Sequence, residues 1–124
     1  MAWVEIGFFY SFVRLPVYMM LKDFEEGHLL ALKCDSRNLF AEFTFLSETG
    51  TIYRVIAFNT ASTPIGIVFE GTIFTAGFTT LNNVPSLGEV ENIKSSPQGF
   101  VVEGDFGVIS VVADSVEVAP NAAA

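Results

Sequence analysis

Apolar and polar residues alternate along much of the chain. Leu39, Ala41, Phe43 and Phe45 interleave with Glu42 and Thr44, a period of two that sends alternate side chains to opposite faces of a strand. The run Glu48-Thr49-Gly50 supplies turn chemistry, so the pattern predicts a hairpin that returns along Thr51 to Phe58 in a specified register. Short apolar runs between clusters of Gly, Pro, Asn and Asp predict further strands at Trp3 to Val13, Leu29 to Cys34, Ile65 to Glu70, Thr72 to Leu81, Phe100 to Glu103, Val108 to Ala113 and Ser115 to Val118. Thirteen Phe with many Val, Ile and Thr suit a pleated, half-buried surface. Turns are expected at Ser95-Ser96-Pro97-Gln98-Gly99 and Glu103-Gly104-Asp105-Phe106-Gly107, where glycine supplies a positive φ. The expected fold is all-β, a small antiparallel barrel or sandwich of about 7–9 strands. It occupies residues 1–118 as a single domain, with a flexible tail over 119–124.

Two segments leave room for one short helix. In Pro16 to Glu26, Val17, Met20, Leu21 and Phe24 fall at helical spacing, with Pro16 suited to a first turn and Gly27 to a C-terminal cap. Val17, Met19 and Leu21 fit a strand equally, and Glu25 and Glu26 would stand at the negative end of a helix, which favours the strand. The second segment, Ser86-Leu87-Gly88-Glu89, has the spacing of a capping box and could open one helical turn before Ile93.

At 124 residues the chain has material for one self-sufficient core. The single cysteine, Cys34, gives no intramolecular disulfide, and the apolar N-terminus lacks a basic leader region and carries Glu5 and Arg14. Only eight residues separate those charges, and the uncharged stretch from Gly71 to Gly88 is broken by threonines, asparagines and Pro85. A membrane span needs ~20 apolar residues, so the expectation is a soluble cytoplasmic protein.

The residues Val118-Ala119-Pro120-Asn121-Ala122-Ala123-Ala124 resemble the read-through ends of integron gene-cassette proteins, whose last codons can lie inside the recombination site. The resemblance implies a mobile bacterial gene and carries no chemistry. A small-residue C-terminus would look the same.

Candidate chemistry is sparse. His28 and Cys34 share one face of a regular strand, but six residues at ~3.3 Å each hold them roughly 20 Å apart, far beyond the reach of a nucleophile and its base. Cys34 therefore reads as a small buried hydrophobe. One His and one Cys do not make a zinc set, and Asp23, Glu25 and Glu26 read as a solvated turn. No phosphate loop or dinucleotide fingerprint occurs, so no metal, cofactor or catalytic residue is assigned. Glu42 and Arg54 lie on the two arms of the best hairpin and can pair, with Tyr53 beside them. These three are the candidate ligand-binding residues.

Lys and Arg number 6 against 14 Asp and Glu, a net charge of -8, which removes the electrostatic basis for holding nucleic acid. The imbalance is uneven, because residues 55–124 hold seven acids and only Lys94. Apolar residues reach 51%, more than a core of this size needs. Both faces of Thr51 to Phe58, and of the first strand, carry apolar side chains that need cover, which predicts a homodimer. The function expected is binding, as an oligomer with an apolar pocket or groove for a small molecule or protein partner. The alternatives are an acidic inhibitor or immunity-type protein docking on a basic target, and a small barrel enzyme using carboxylate acid/base chemistry.

Overall fold

The computed structural model describes residues 4–5, 12–13, 21–71, 79–81 and 84–120. In chain order the strands are β1 (Val4–Glu5), β2 (Phe12–Val13), β3 (His28–Cys34), β4 (Phe40–Leu46), β5 (Ile52–Phe58), β6 (Gly66–Glu70), β7 (Thr79–Leu81), β8 (Val84–Ser86), β9 (Gly88–Ser96), β10 (Gly99–Gly104), β11 (Gly107–Val112) and β12 (Ser115–Pro120). Eight of them form one antiparallel sheet in the order β12-β5-β4-β3-β9-β10-β11-β6. Two short ladders, β1 with β2 and β7 with β8, are not hydrogen-bonded into it, although β8 packs against β3 and β1 against β12. The fold is all-β, as the alternation of apolar and polar positions requires.

One face of the sheet supplies the core. Ala41, Phe43 and Phe45 of β4, Val55 and Ala57 of β5 and Val116 and Val118 of β12 are buried together with Val90, Ile93, Phe100, Val102, Ile109 and Val111 from the other half. Phe43 and Phe100 meet edge to face with ring centroids 5.2 Å apart, although β3 and β9 lie between their strands in the sheet. A flat sheet would hold strands three places apart at roughly 14 Å. The sheet therefore curls around its own aromatic side chains, and no ladder joins β12 to β6 among the described residues.

The hairpin of β4 and β5 has the expected register, with Leu46 opposite Ile52 and Phe40 opposite Phe58. Its turn closes through Gly50 at φ +96° and through the Ser47 hydroxyl, which accepts the Thr51 N–H at 3.1 Å. Gly99 and Gly107 take the positive φ expected of their turns.

Several expectations change. Val4 pairs with Val13 and Glu5 with Phe12, so the apolar run from Trp3 to Val13 is not one strand: its ends are antiparallel partners. In the stretch from Pro16 to Glu26, residues 16–20 lie outside the described residues. Leu21 and Lys22 are helical and residues 23–26 form a turn, not a strand. The unfavourable charge of Glu25 at that end is offset because its carboxylate accepts the Ile93 N–H at 2.9 Å and pairs with Lys22 at 3.1 Å. The strand expected from Thr72 is described only over β7.

Ser86 to Glu89 does not open a helix; it joins β8 to β9, the longest strand. Gly88 stands at φ +142°, which no right-handed helix admits, and the Ser86 hydroxyl accepts the Gly88 N–H instead of capping at Glu89. Further along, β9 carries a bulge, since Asn92 faces Glu103 and Val90 faces Gly104, leaving Glu91 unpaired. An extra residue resets the alternation, so Val90 and Ile93 both point inward at a spacing of three that imitates a helix. Finally, β12 runs through Pro120, opposite Tyr53, two residues past the expected end of that strand at Val118.

The two halves of the sheet meet at a short seam. His28 faces Glu89 and Leu29 faces Gly88, and the ladder continues through backbone bonds from Leu87 to Leu29, Val90 to Gly27 and Glu26 to Val90. Glu26 and Gly27 thus extend β3 along β9.

Candidate functional site

The outer face of the β4–β5 hairpin carries an open groove of about 430 Å³, lined by Leu39, Phe40, Glu42, Arg54, Ile56, Phe58, Asn59 and Ser62. Its floor follows from the pleat. Phe40 is opposite Phe58 and Glu42 is opposite Ile56, all on the face turned away from Phe43 and Val55. Leu39, Phe40, Ile56 and Phe58 are half-buried, so their apolar surface is partly open to solvent.

Glu42 and Arg54 form one wall. They are diagonal neighbours, because Arg54 faces Thr44 directly, and the diagonal distance suits two long side chains. The Arg54 Nε donates to Glu42 Oε2 and Nη2 to Oε1, both at 3.1 Å, a bidentate pair. Hydrogen bonding to Glu42 and its charge raise the Arg54 pKa further. Two of the three sequence candidates therefore come together. Tyr53 does not join them, since adjacent residues on a strand point to opposite faces: it is opposite Phe45 and lies against the Phe24 ring at 5.3 Å in the core.

One end of the groove, beyond Phe40 and Phe58, is built by two turns. In the turn before β4 Asp35 accepts the N–H groups of Arg37 and Leu39, and Asn38 takes a φ of +58°. In the turn after β5 the Asn59 side-chain amide donates to Thr63 and to the Pro64 carbonyl, while its oxygen accepts the Asp114 N–H at 2.9 Å. Asp114 in turn accepts from the Thr60 N–H at 2.9 Å and from the Ser115 hydroxyl at 2.8 Å, bonds that lower its pKa. The Ile65 N–H donates to the Asn38 carbonyl and ties the two turns together. Sequence reading identified neither Asn59 nor Asp114, because the 54-residue separation of Thr60 and Asp114 hides the contact.

The remaining candidates lie elsewhere. A bulge at Leu30 separates the faces of His28 and Cys34: His28 is opposite the outward Leu46, and Cys34 is opposite the inward Ala41. Cys34 is exposed, contrary to the expectation of burial, because it ends its strand at the rim of the sheet. His28 Nδ1 lies 3.2 Å from Ser86 Oγ, but Ser86 is 1% exposed and its oxygen also accepts the Gly88 N–H. No substrate reaches such a hydroxyl, so the contact braces the seam. Among the described residues no three His, Cys, Asp or Glu side chains gather as a metal set, and no helix is long and apolar enough to cross a membrane.

Comparison of the chain with protein-family models, with curated proteins and with solved structures found no match.

Proposed function

We propose that this protein acts by binding, as a homodimer, and that the β4–β5 groove receives a small, largely apolar ligand. The observation that carries the reading is the pairing of an apolar floor with a fixed polar wall: Phe40, Ile56 and Phe58 lie beside the bidentate Glu42–Arg54 pair in a space of about 430 Å³. Ligand sites are typically clefts of roughly 300–1,000 Å³ with mostly apolar linings and a few placed polar groups. The groove is also braced in advance at one end, since Asp35, Asn59 and Asp114 fix the two turns there. A site that needs no ordering on binding loses less affinity to entropy.

The test is a methyl-labelled NMR screen of neutral aromatic and aliphatic fragments. Binders should shift the Ile56 and Leu39 methyl signals, and Ile56→Ser should weaken them at least tenfold. If no fragment perturbs those methyls, or if binders act equally on the variant, the groove is not the site.

A further inference from the structure

The large apolar side chains that are most exposed among the described residues stand together. Val68 is 55% exposed, Phe69 38% and Val112 61%. All three are on β6 and β11, at the end of the sheet remote from β4 and β5. Val68 and Val112 belong to the outer face, whereas Phe69, opposite Ile109, belongs to the inner one; the register lays out the outer face in cross-strand rows. One runs Gly66, Val112, Gly99, Ser96, and the next runs Val68, Ser110, Val101, Lys94.

Val112 is thus a raised side chain between two glycines. Beside it lies a hollow of about 270 Å³ whose lining includes Ser96, Gly99, Val101, Ser110 and Val112. Gly99 holds the hollow open by necessity: at φ +143° a Cβ there would meet the Val111 carbonyl oxygen at 1.9 Å. A knob next to a hole on one face is self-complementary under a two-fold rotation.

We propose that this outer face of β6, β11, β10 and β9 is the homodimer contact, with Val112 of each copy seated over Gly99 of the other. A two-fold axis parallel to the strands, between β10 and β11, exchanges β11 with β10 and β6 with β9. It sets Val112 over the partner's Gly99, Ser110 over the partner's Val101 and Val68 against the stem of the partner's Lys94. In the adjoining row, Glu70 comes opposite the partner's Asn92 and Glu103 opposite the partner's Val108. Each acid of that row faces an uncharged residue directly, and the two Glu103 side chains that flank the axis each keep their own Lys94 at 3.7 Å. The inference rests on the dimer half of the proposed function and is independent of the groove.

Light scattering coupled to size exclusion, at micromolar protein with a reductant to keep the exposed Cys34 from cross-linking copies, tests it. The expected mass for the wild type is twice 13.5 kDa. Val112→Glu should raise the dimer dissociation constant at least tenfold and move the mass toward one chain, and Val68→Glu should act in the same direction. Both side chains are more than half exposed in the single chain, so a charge there leaves the monomer fold intact, which circular dichroism verifies. A wild-type mass of 13.5 kDa overturns both the dimer and this surface. A Val112→Glu protein that stays dimeric overturns the surface alone and points to another contact, such as strand addition at β6.

Discussion

Glu25 places one carboxylate oxygen 2.9 Å from the Ile93 N–H and 3.1 Å from the Lys22 ammonium. The bond from Ile93 is the larger cause, and together with Lys22 it outweighs desolvation and holds the Glu25 pKa below its ordinary value of 4.5. A carboxylate lowered in the native state adds stability that is fully present above the unfolded value and disappears as pH falls through the native one. Glu25→Gln should therefore be less stable than the wild type at neutral pH, with the difference closing as the pH falls below about 4.5. Urea unfolding at several pH values measures this, and a gap that stays constant into acid would mean that the Glu25 charge contributes nothing. The role was not legible in the sequence, where Asp23, Glu25 and Glu26 look like a solvated turn. The partner N–H belongs to a strand 68 residues away. Glu42 and Arg54 were legible because a hairpin converts sequence distance into register, whereas Tyr53, one residue from Arg54, belongs to the opposite face.

Among the elements, the turn after Leu21 does more than connect. Phe24 is 1% exposed and stacks on Phe45 at 4.7 Å with an interplanar angle of 5°, while Tyr53 lies at 5.3 Å. Phe43 continues the stack below Phe45 at 5.9 Å. The turn thus inserts one ring above the aromatic column of β4 and closes that end of the curled sheet. Phe24→Ala should cost about 3–5 kcal/mol, the range for emptying a buried aromatic site, and a loss under about 1 kcal/mol by denaturant unfolding would show that the ring is dispensable. The main hairpin, β6 and the strands of the last third follow from alternation and turn residues, both of which are local. What escaped the sequence was bulged. Leu30 in β3 and Glu91 in β9 each add a residue opposite one partner, and beyond each the inward parity is reversed. Period-two reading then assigns His28 and Cys34 to one face, while the capping-box spacing of Ser86 to Glu89 suggests a helical turn that Gly88, at φ +142°, does not allow. The groove was legible only in its Glu42–Arg54 wall, because its far end depends on Asp114 reaching Asn59 and Thr60.

On the scale of the whole molecule, charge sets an opposing pair of effects. Three ion pairs join described residues: Lys22–Glu25, Arg54–Glu42 and Lys94–Glu103, the last at 3.7 Å with both side chains well exposed. Exposed pairs of this kind contribute about 0–1 kcal/mol each and weaken as salt is added. Against them stands the repulsion of a chain with 14 acids and 6 bases, which salt relieves. Glu70, Glu89, Glu91, Asp105, Asp114 and Glu117 are exposed, and Lys94 is the sole base among residues 55–124, already committed to Glu103. Pairing all six cations would still leave eight of the 14 acids without a counter-charge, so the repulsive part is the larger. The melting temperature should therefore rise as sodium chloride is raised from low to near-physiological concentration, where the screening length shrinks to about 8 Å. The same titration reads assembly as well, because two chains of net charge -8 repel each other on association, so salt should lower the dimer dissociation constant. Thermal unfolding followed at protein concentrations below and above dimer formation reads both. A melting temperature that falls with salt would show that the ion pairs, Arg54–Glu42 foremost, outweigh the net charge.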